Sequence, residues 1–478
     1  MEEKENKSLK FAQQIYDSGT NNVGQIYDQK NNSKLTSDQI QTYLNSPYTN
    51  VDQLQSAIDF FINMNGILKE IIAYKSNILT YDHYLLCTNI DKYKSKDKFD
   101  KAYYKAVTEL KKFAIKFNVR WMMERLFKDG ELYVYVIEGK DNVTIAPFPP
   151  SYCKVVGATG GLQHFAINMN KLTDKNIVAF PLDIQDVYEA KKSGAIKNDE
   201  NYDNSTGFYE LDHTKAFAFS MNYLYPKNIP YYSAMLKDLC RISDLSDEMQ
   251  EASLIENFKL IQMLIPTDKE TGEPLVDAEE AILYHSDVKN TLPSGIACVG
   301  LPYELTSINL GDSAGKTLQY MDNLVDGCYN TAGINDQLFN GSINNTQAVT
   351  YSAVMDSLQP LKFLEAFRLF FNAYFLNNSA LKNFELVFLD STAYNKDAKL
   401  TSLVSNAATF TSKLQILAGM GLEPHQAWNM LKQEELMQLD DEMNPMQNSH
   451  TQSSDDVGRP TASEESGDIN KTGESTNV

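Results

Sequence analysis

The chain has 478 residues, with 43 Lys+Arg against 63 Asp+Glu for a formal net charge of −20, 42% hydrophobic residues and 11% aromatic residues. That is enough apolar material for two or three domains or one elongated multi-part subunit, while the charge argues against general adhesion to nucleic acid or anionic membrane. Cys87, Cys153, Cys240, Cys298 and Cys328 are scattered without CxxC or Cys/His spacing and read as reduced, mostly buried thiols, and no run of about 18 apolar residues offers a membrane span.

Residues 1–45 read as an N-terminal arm, polar through position 35 and turning helical from Thr36, with Ser37 as the expected cap. The start MEEKENKSLKF lacks the apolar core of a signal peptide, so a cytosol-like compartment, or a particle assembled there, is expected. Val51–Leu79 has the pattern of one longer helix, and Lys98–Phe127 of another, ending before Asp129-Gly130. The period then changes: ELYVYVIEG, NVTIAPFPP, YCKVVGA and LQHFAINM are β-branched or aromatic and punctuated by turn residues, which predicts strands. Residues 171–219 read as more sheet interrupted by a polar insertion at 191–205, and 233–262 reverts to helix.

Residues 263–308 form a small β-rich unit with a turn at Asp268–Pro274 and further strands at 295–300 and 303–310. A helix over 313–330 follows, with Leu318, Met321, Leu324, Val325 and Cys328 at helical spacing. The next loop packs Gly, Asn and Asp around Leu338 and Phe339, a mixture that breaks regular structure because Gly and Asn accept positive φ and Asn/Asp bond their own backbone. From Thr346 to Leu376 runs one long apolar-periodic segment in which Pro360 should mark a kink or a restart. FELVFLD at 384–390 reads as a buried strand, and 396–439 as two or three helices broken near Gly419, Gly421 and Pro424. Beyond Asp440 the composition predicts disorder.

Signals for catalysis are absent from this pattern. Gly311-Asp-Ser-Ala-Gly-Lys-Thr317 is one residue short of GxxxxGK[ST], too short to wrap phosphates, and reads as a helix start capped by Asp312 or Ser313. The six histidines are dispersed, with no metal-ligand spacing, and no GxSxG occurs; no metal or cofactor is expected. Two sets of carboxylates lie on helix faces: Asp244, Asp247, Glu248 and Glu251 at i, i+3, i+4 and i+7, and Asp322 with Asp326 at i, i+4. They are either plain solvated faces or an acidic wall that repels a polyanion.

This order of elements resembles the portal proteins of tailed bacteriophages over nearly the whole chain. The resemblance implies an α+β, elongated subunit: a wing of helices then sheet at 46–234, with DGELYVYVIEG as its helix-to-strand entry; stem helices at 235–262 and 309–331; a β-rich clip at 263–308; a tunnel loop, long wing helix and wing strand within 332–391; a helical crown at 392–440; and an acidic tail at 441–478, where Gly458-Arg459-Pro460 before TASEESGD is similar to the family's habit. It further implies a non-enzymatic ring of about twelve copies at one capsid vertex of a virion, assembled in host cytoplasm, through which double-stranded DNA passes without tight binding. Its expected partners are the large terminase, a head–tail adaptor, and major capsid and scaffold proteins, with no membrane. Asn335, Asp336, Gln337, Leu338, Phe339, Asn340, Asn344 and Asn345 would line the tunnel loop, and Thr267, Asp268, Lys269, Glu270 and Glu273 would lie in the docking clip. Another virion component, such as a baseplate or minor capsid protein, and a P-loop-like ATP-dependent enzyme are the alternatives.

Overall fold

The structure, a computed structural model, describes residues 35–64, 66–221, 228–256, 259–264, 283, 296–301, 313–334, 346–407 and 411–437. It has an α+β fold. Three helices open it: α1 (Ser37–Asn45), α2 (Val51–Met64) and α3 (Gly66–Asn77). The cap of α1 is Thr36 rather than the expected Ser37: its hydroxyl accepts from Gln39 N while Gln39 Oε1 accepts from Thr36 N, a reciprocal capping box. The expected single helix over 51–79 is two helices, and so is the one over 98–127.

Strand β1 (His83–Cys87) leads to α4 (Lys96–Lys111) and α5 (Ile115–Asp129). The break between these helices falls where Phe113 is driven into the core among Phe371, Tyr374 and Phe375, leaving Ala114 in the left-handed region at φ 43°. Gly130 ends α5 at φ +77°; a Cβ there would stand 2.5 Å from the Ile229 carbonyl oxygen, so this turn accepts only glycine.

The antiparallel sheet comprises β2 (Glu131–Glu138), β3 (Val143–Phe148), β4 (Cys153–Thr159), β5 (Leu162–Asn168), β6 (Phe208–Glu210) and β7 (Ala216–Ser220), in the order β3-β2-β7-β5-β4 with β6 beside β5. Its period-2 alternation separates two cores. Leu132, Val134, Val136, Phe217 and Phe219 face the large helical core; Tyr133, Tyr135, Ala216 and Ala218 face a smaller one closed by α6 (Leu182–Lys192). That helix corrects the expectation that 171–219 is sheet interrupted only by a polar insertion at 191–205: Ile184 and Tyr188, one turn apart, are its buried anchors.

After a short 3-10 turn at Tyr231–Met235, α7 (Leu236–Glu256) is followed by β8 (Lys259–Leu264), which pairs in parallel with β9 (Ile296–Leu301). The stem helix expected over 235–262 therefore stops at Glu256, because residues 259–264 find a strand partner remote in sequence. α8 (Ser313–Thr331), α9 (Thr346–Asp356) and α10 (Leu358–Asn377) come next. The single run expected over 346–376 restarts at Ser357, with Pro360 in the first turn of α10, where a missing N–H costs least.

Phe367 and Phe370 of α10 meet Phe219 and Phe217 at ring distances of 5.0 and 4.8 Å, so α10 is the strut on which the sheet rests. Strand β10 (Phe384–Phe388) pairs antiparallel with β1, and α11 (Lys396–Ser405), α12 (Lys413–Gly419) and α13 (Pro424–Met437) complete the described chain.

Candidate functional site

The candidate site is the excursion α7–β8/β9–α8. Leu236, Leu239 and Cys240 at the start of α7 are buried in the large core, as are Cys328 and Tyr329 at the end of α8. The two helices pack on one another, so α7 runs out of the core and α8 runs back. At about 1.5 Å per residue, 21 and 19 residues make rods of roughly 30 Å.

The return of α8 is closed by a Schellman motif. Ile334 N donates to the Tyr329 carbonyl and Gly333 N to that of Asn330, both at 3.0 Å, with Gly333 at φ +63°. Ile334 and Tyr329 supply the apolar contact that accompanies this cap, and both are buried.

Beneath the cap lies a buried ion pair. The Lys75 ammonium donates to the Gly333 carbonyl at 3.1 Å and the Asp356 carbonyl at 3.2 Å, and stands 3.7 Å from Asp356 Oδ1. Two of its three N–H groups thus donate to carbonyls, and the carboxylate adds a charge contact at longer range. The Tyr74 hydroxyl donates to Asp356 Oδ2 at 2.9 Å. The Asp356 carbonyl is open to Lys75 for a local reason: its helical partner would be the N–H of residue 360, and that residue is proline.

Burial lowers the Lys75 pKa against the opposing pull of Asp356, and burial raises that of Asp356 against the pull of Lys75. Burial and then the Asp356 charge push the Tyr74 phenol upward, which keeps it a neutral donor. The ion pair therefore joins α3, the end of α8 and the end of α9. Nothing in the sequence pattern announced it, because Lys75 and Asp356 are 281 positions apart; only Pro360 hinted at an orphan carbonyl.

The acidic residues sit outward of the anchors. Asp244 and Asp247 lie four and seven positions beyond Cys240 on α7, and Asp326 and Asp322 two and six positions before Cys328 on α8. Asp247 and Asp322 are exposed and Asp244 and Asp326 half-buried; Cys240 Sγ lies 3.9 Å from Asp244 Oδ2. The two pairs are thus carried on adjacent helices. Glu248 and Glu251 belong to α7, but their side chains lie outside the description, as do all of Thr267, Asp268, Lys269, Glu270 and Glu273 and the loop residues Asn335, Asp336, Gln337, Leu338, Phe339, Asn340, Asn344 and Asn345.

Burial pushes the Cys328 thiol up to about 12, with Asp238 adding to it, so this cysteine is a packing group and not a nucleophile. Ser313–Thr317 are already helical, which leaves no open loop there to wrap a phosphate. Among the described residues no group of three His, Cys, Asp or Glu is placed to hold a metal ion, and no helix is long and apolar enough to cross a membrane.

No family model and no curated protein matches the chain. Among solved structures it is similar to a chain of the virion of a native gene transfer agent particle, with 12% identity, a TM-score of 0.43, and coverage of 78% of this chain and 94% of that one. It is likewise similar to a chain from the neck of the native particle computed with C12 symmetry (11%, 0.43, 77% and 93%) and to one from the neck of the empty particle computed with C6 symmetry (10%, 0.42, 75% and 91%). Values this low assign neither a family nor an activity.

Proposed function

We propose that the chain is a portal-type virion subunit, about twelve copies of which close a ring at one capsid vertex. Double-stranded DNA would pass through its axis during packaging and ejection. The large terminase and then a head–tail adaptor would dock on the far end of the excursion, within 263–308. The observation that supports this reading best is the excursion itself. Two antiparallel helices leave and re-enter one core, carry a small β pair at their far end, and lead into the long α9–α10 segment. That is the order the sequence resemblance implies for stem, clip, stem and wing helix.

Two physical features fit the role. A conduit must not grip its cargo, since every phosphate neutralised by Lys or Arg adds affinity that each translocation step has to break. The paired helices present Asp247 and Asp322 to solvent, and the chain carries a net charge of −20. Apolar side chains also remain uncovered in a single copy: Leu318 and Tyr320 on α8, and Tyr351, Met355 and Leu358 at i, i+4 and i+7 across α9 and α10. A neighbouring copy in a closed ring would bury them.

Negative-stain imaging of purified protein tests the proposal. A ring with an axial hole is expected. A monomer at every accessible concentration would remove the portal reading and leave another virion component. Ring size alone is not the criterion, because overexpression without capsid can change the copy number.

A further inference from the structure

Against the overall charge of −20, residues 92–112 carry eight lysines and three acids. Most of them lie on α4, which buries Tyr103, Ala106, Val107 and Leu110 against the core. Helical geometry sets Lys98, Lys101 and Lys105 on the opposite side, and all three are exposed. No ion-pair or hydrogen-bond partner is found for them among the described residues, unlike Lys112, which pairs with Glu109 at 2.9 Å. Tyr104 stands exposed beside them. The face is a lysine-rich, partly aromatic strip on an acidic protein, with Asp97 and Glu109 on the same side.

α13 runs past the first turn of this helix. Trp428 meets Tyr103 at 5.2 Å, Lys432 Nζ lies 3.4 Å from Asp100, and Glu435 feels the charge of Lys96. Two positions later α13 reaches Met437, its last residue. Residues 438–478 follow, with nine acidic residues against two basic ones.

We propose that this acidic C-terminal segment docks on the basic strip of α4 in its own chain. Charge, exit point and reach all agree. An extended chain covers at most about 3.6 Å per residue, so Asp440, Asp441 and Glu442 fall within about 18 Å of Met437. Along α4, Lys96 and Lys105 are about 14 Å apart at 1.5 Å per residue. Exposed ion pairs are individually weak, but a short tether gives an effective concentration in the millimolar range, which is what such a contact requires. The docked segment would shield this lysine-rich face from other polyanions. This inference does not depend on the portal reading.

Zero-length carbodiimide cross-linking of the full chain, read by mass spectrometry, is the direct test. Amide links from carboxylates of 438–478 to Lys98, Lys101 and Lys105 are expected at about 50 mM salt and should be largely lost at about 0.5 M, where the Debye length is a few ångströms. Acetylation of the same lysines should rise several-fold in a chain ended at Met437. A full-length chain with every carboxylate after Met437 replaced by its amide should behave the same way, which covers the case of a truncation that folds poorly. Equal lysine reactivity in all three proteins would overturn the proposal. So would links found only between copies in an isotopically mixed sample. A short duplex DNA should bind the amide variant and not the parent; equal binding to both would make nucleic acid, not the tail, the occupant of this strip.

Discussion

Replacing Lys75 with Met tests whether the buried ion pair ties α8 and α9 to the wing. The variant keeps the apolar stem but removes the ammonium, leaving the Gly333 and Asp356 carbonyls without their donor and the Asp356 carboxylate without its counter-charge. Breaking a buried pair by deleting one partner costs about 3–5 kcal/mol. The Tyr74 hydroxyl still donates to Asp356 at 2.9 Å, which places the expected cost near the lower end, about 3 kcal/mol.

A chain with several parts need not unfold in one step, so the readout should be local: hydrogen exchange of the Ala332, Gly333 and Ile334 amides, all bonded in the α8 cap. A loss of about 3 kcal/mol speeds their exchange by roughly 100-fold. The sign with pH is also fixed. The Asp356 pKa is already raised by burial and rises further without Lys75, so the defect should ease as pH falls and the carboxyl takes up a proton. Lys75→Met with Asp356→Leu should cost less than the two single changes added together, by more than about 1 kcal/mol. Exchange at the cap unchanged within about threefold, or strict additivity, would refute the account of this ion pair.

Burial depresses the pKa of His83 to about 4, opposed by its bond to the Tyr81 carbonyl and by Glu423, so protons bind the unfolded chain preferentially between about 6.5 and 4. Stability should fall by roughly 3 kcal/mol as pH drops through that window, and a melting series on His83→Gln should show a flatter slope. Gly130→Ala should destabilise by at least about 2 kcal/mol, from left-handed strain and the 2.5 Å approach to Ile229, as measured by thermal melting. Lys316→Ala and Thr317→Ala should leave binding of a fluorescent ATP analogue unchanged from a wild type that binds none; binding by wild type alone would restore the phosphate-loop alternative. Under the portal proposal, Asn340, Asn344 and Asn345 replaced by lysine should leave rings assembled and slow packaging, with relief at higher salt; full-rate packaging in low salt would take this loop out of the DNA path.

Local physics made much of the chain readable in advance. Strands β2 to β5 were legible because alternating Tyr, Val and Ile between Gly, Asn and Pro leaves few other options. Gly130 was legible as a stop, Gly333 as a breaker after α8, and Pro360 as a restart. Each of these is set by a residue and its near neighbours. What could not be read needed partners far along the chain. Residues His83–Cys87 form a strand only because Phe384–Phe388 lies alongside, some 300 positions later. KLIQML ends the helical α7 pattern and becomes β8 because IACVGL offers a ladder. The α4–α5 break follows from the rings of α10 around Phe113, and the fit of Lys75 to an orphan carbonyl follows from a proline 285 positions away. Period, capping and turn chemistry act within a few residues and can be read from sequence; burial and pairing depend on which distant surfaces meet, and only the folded chain decides that.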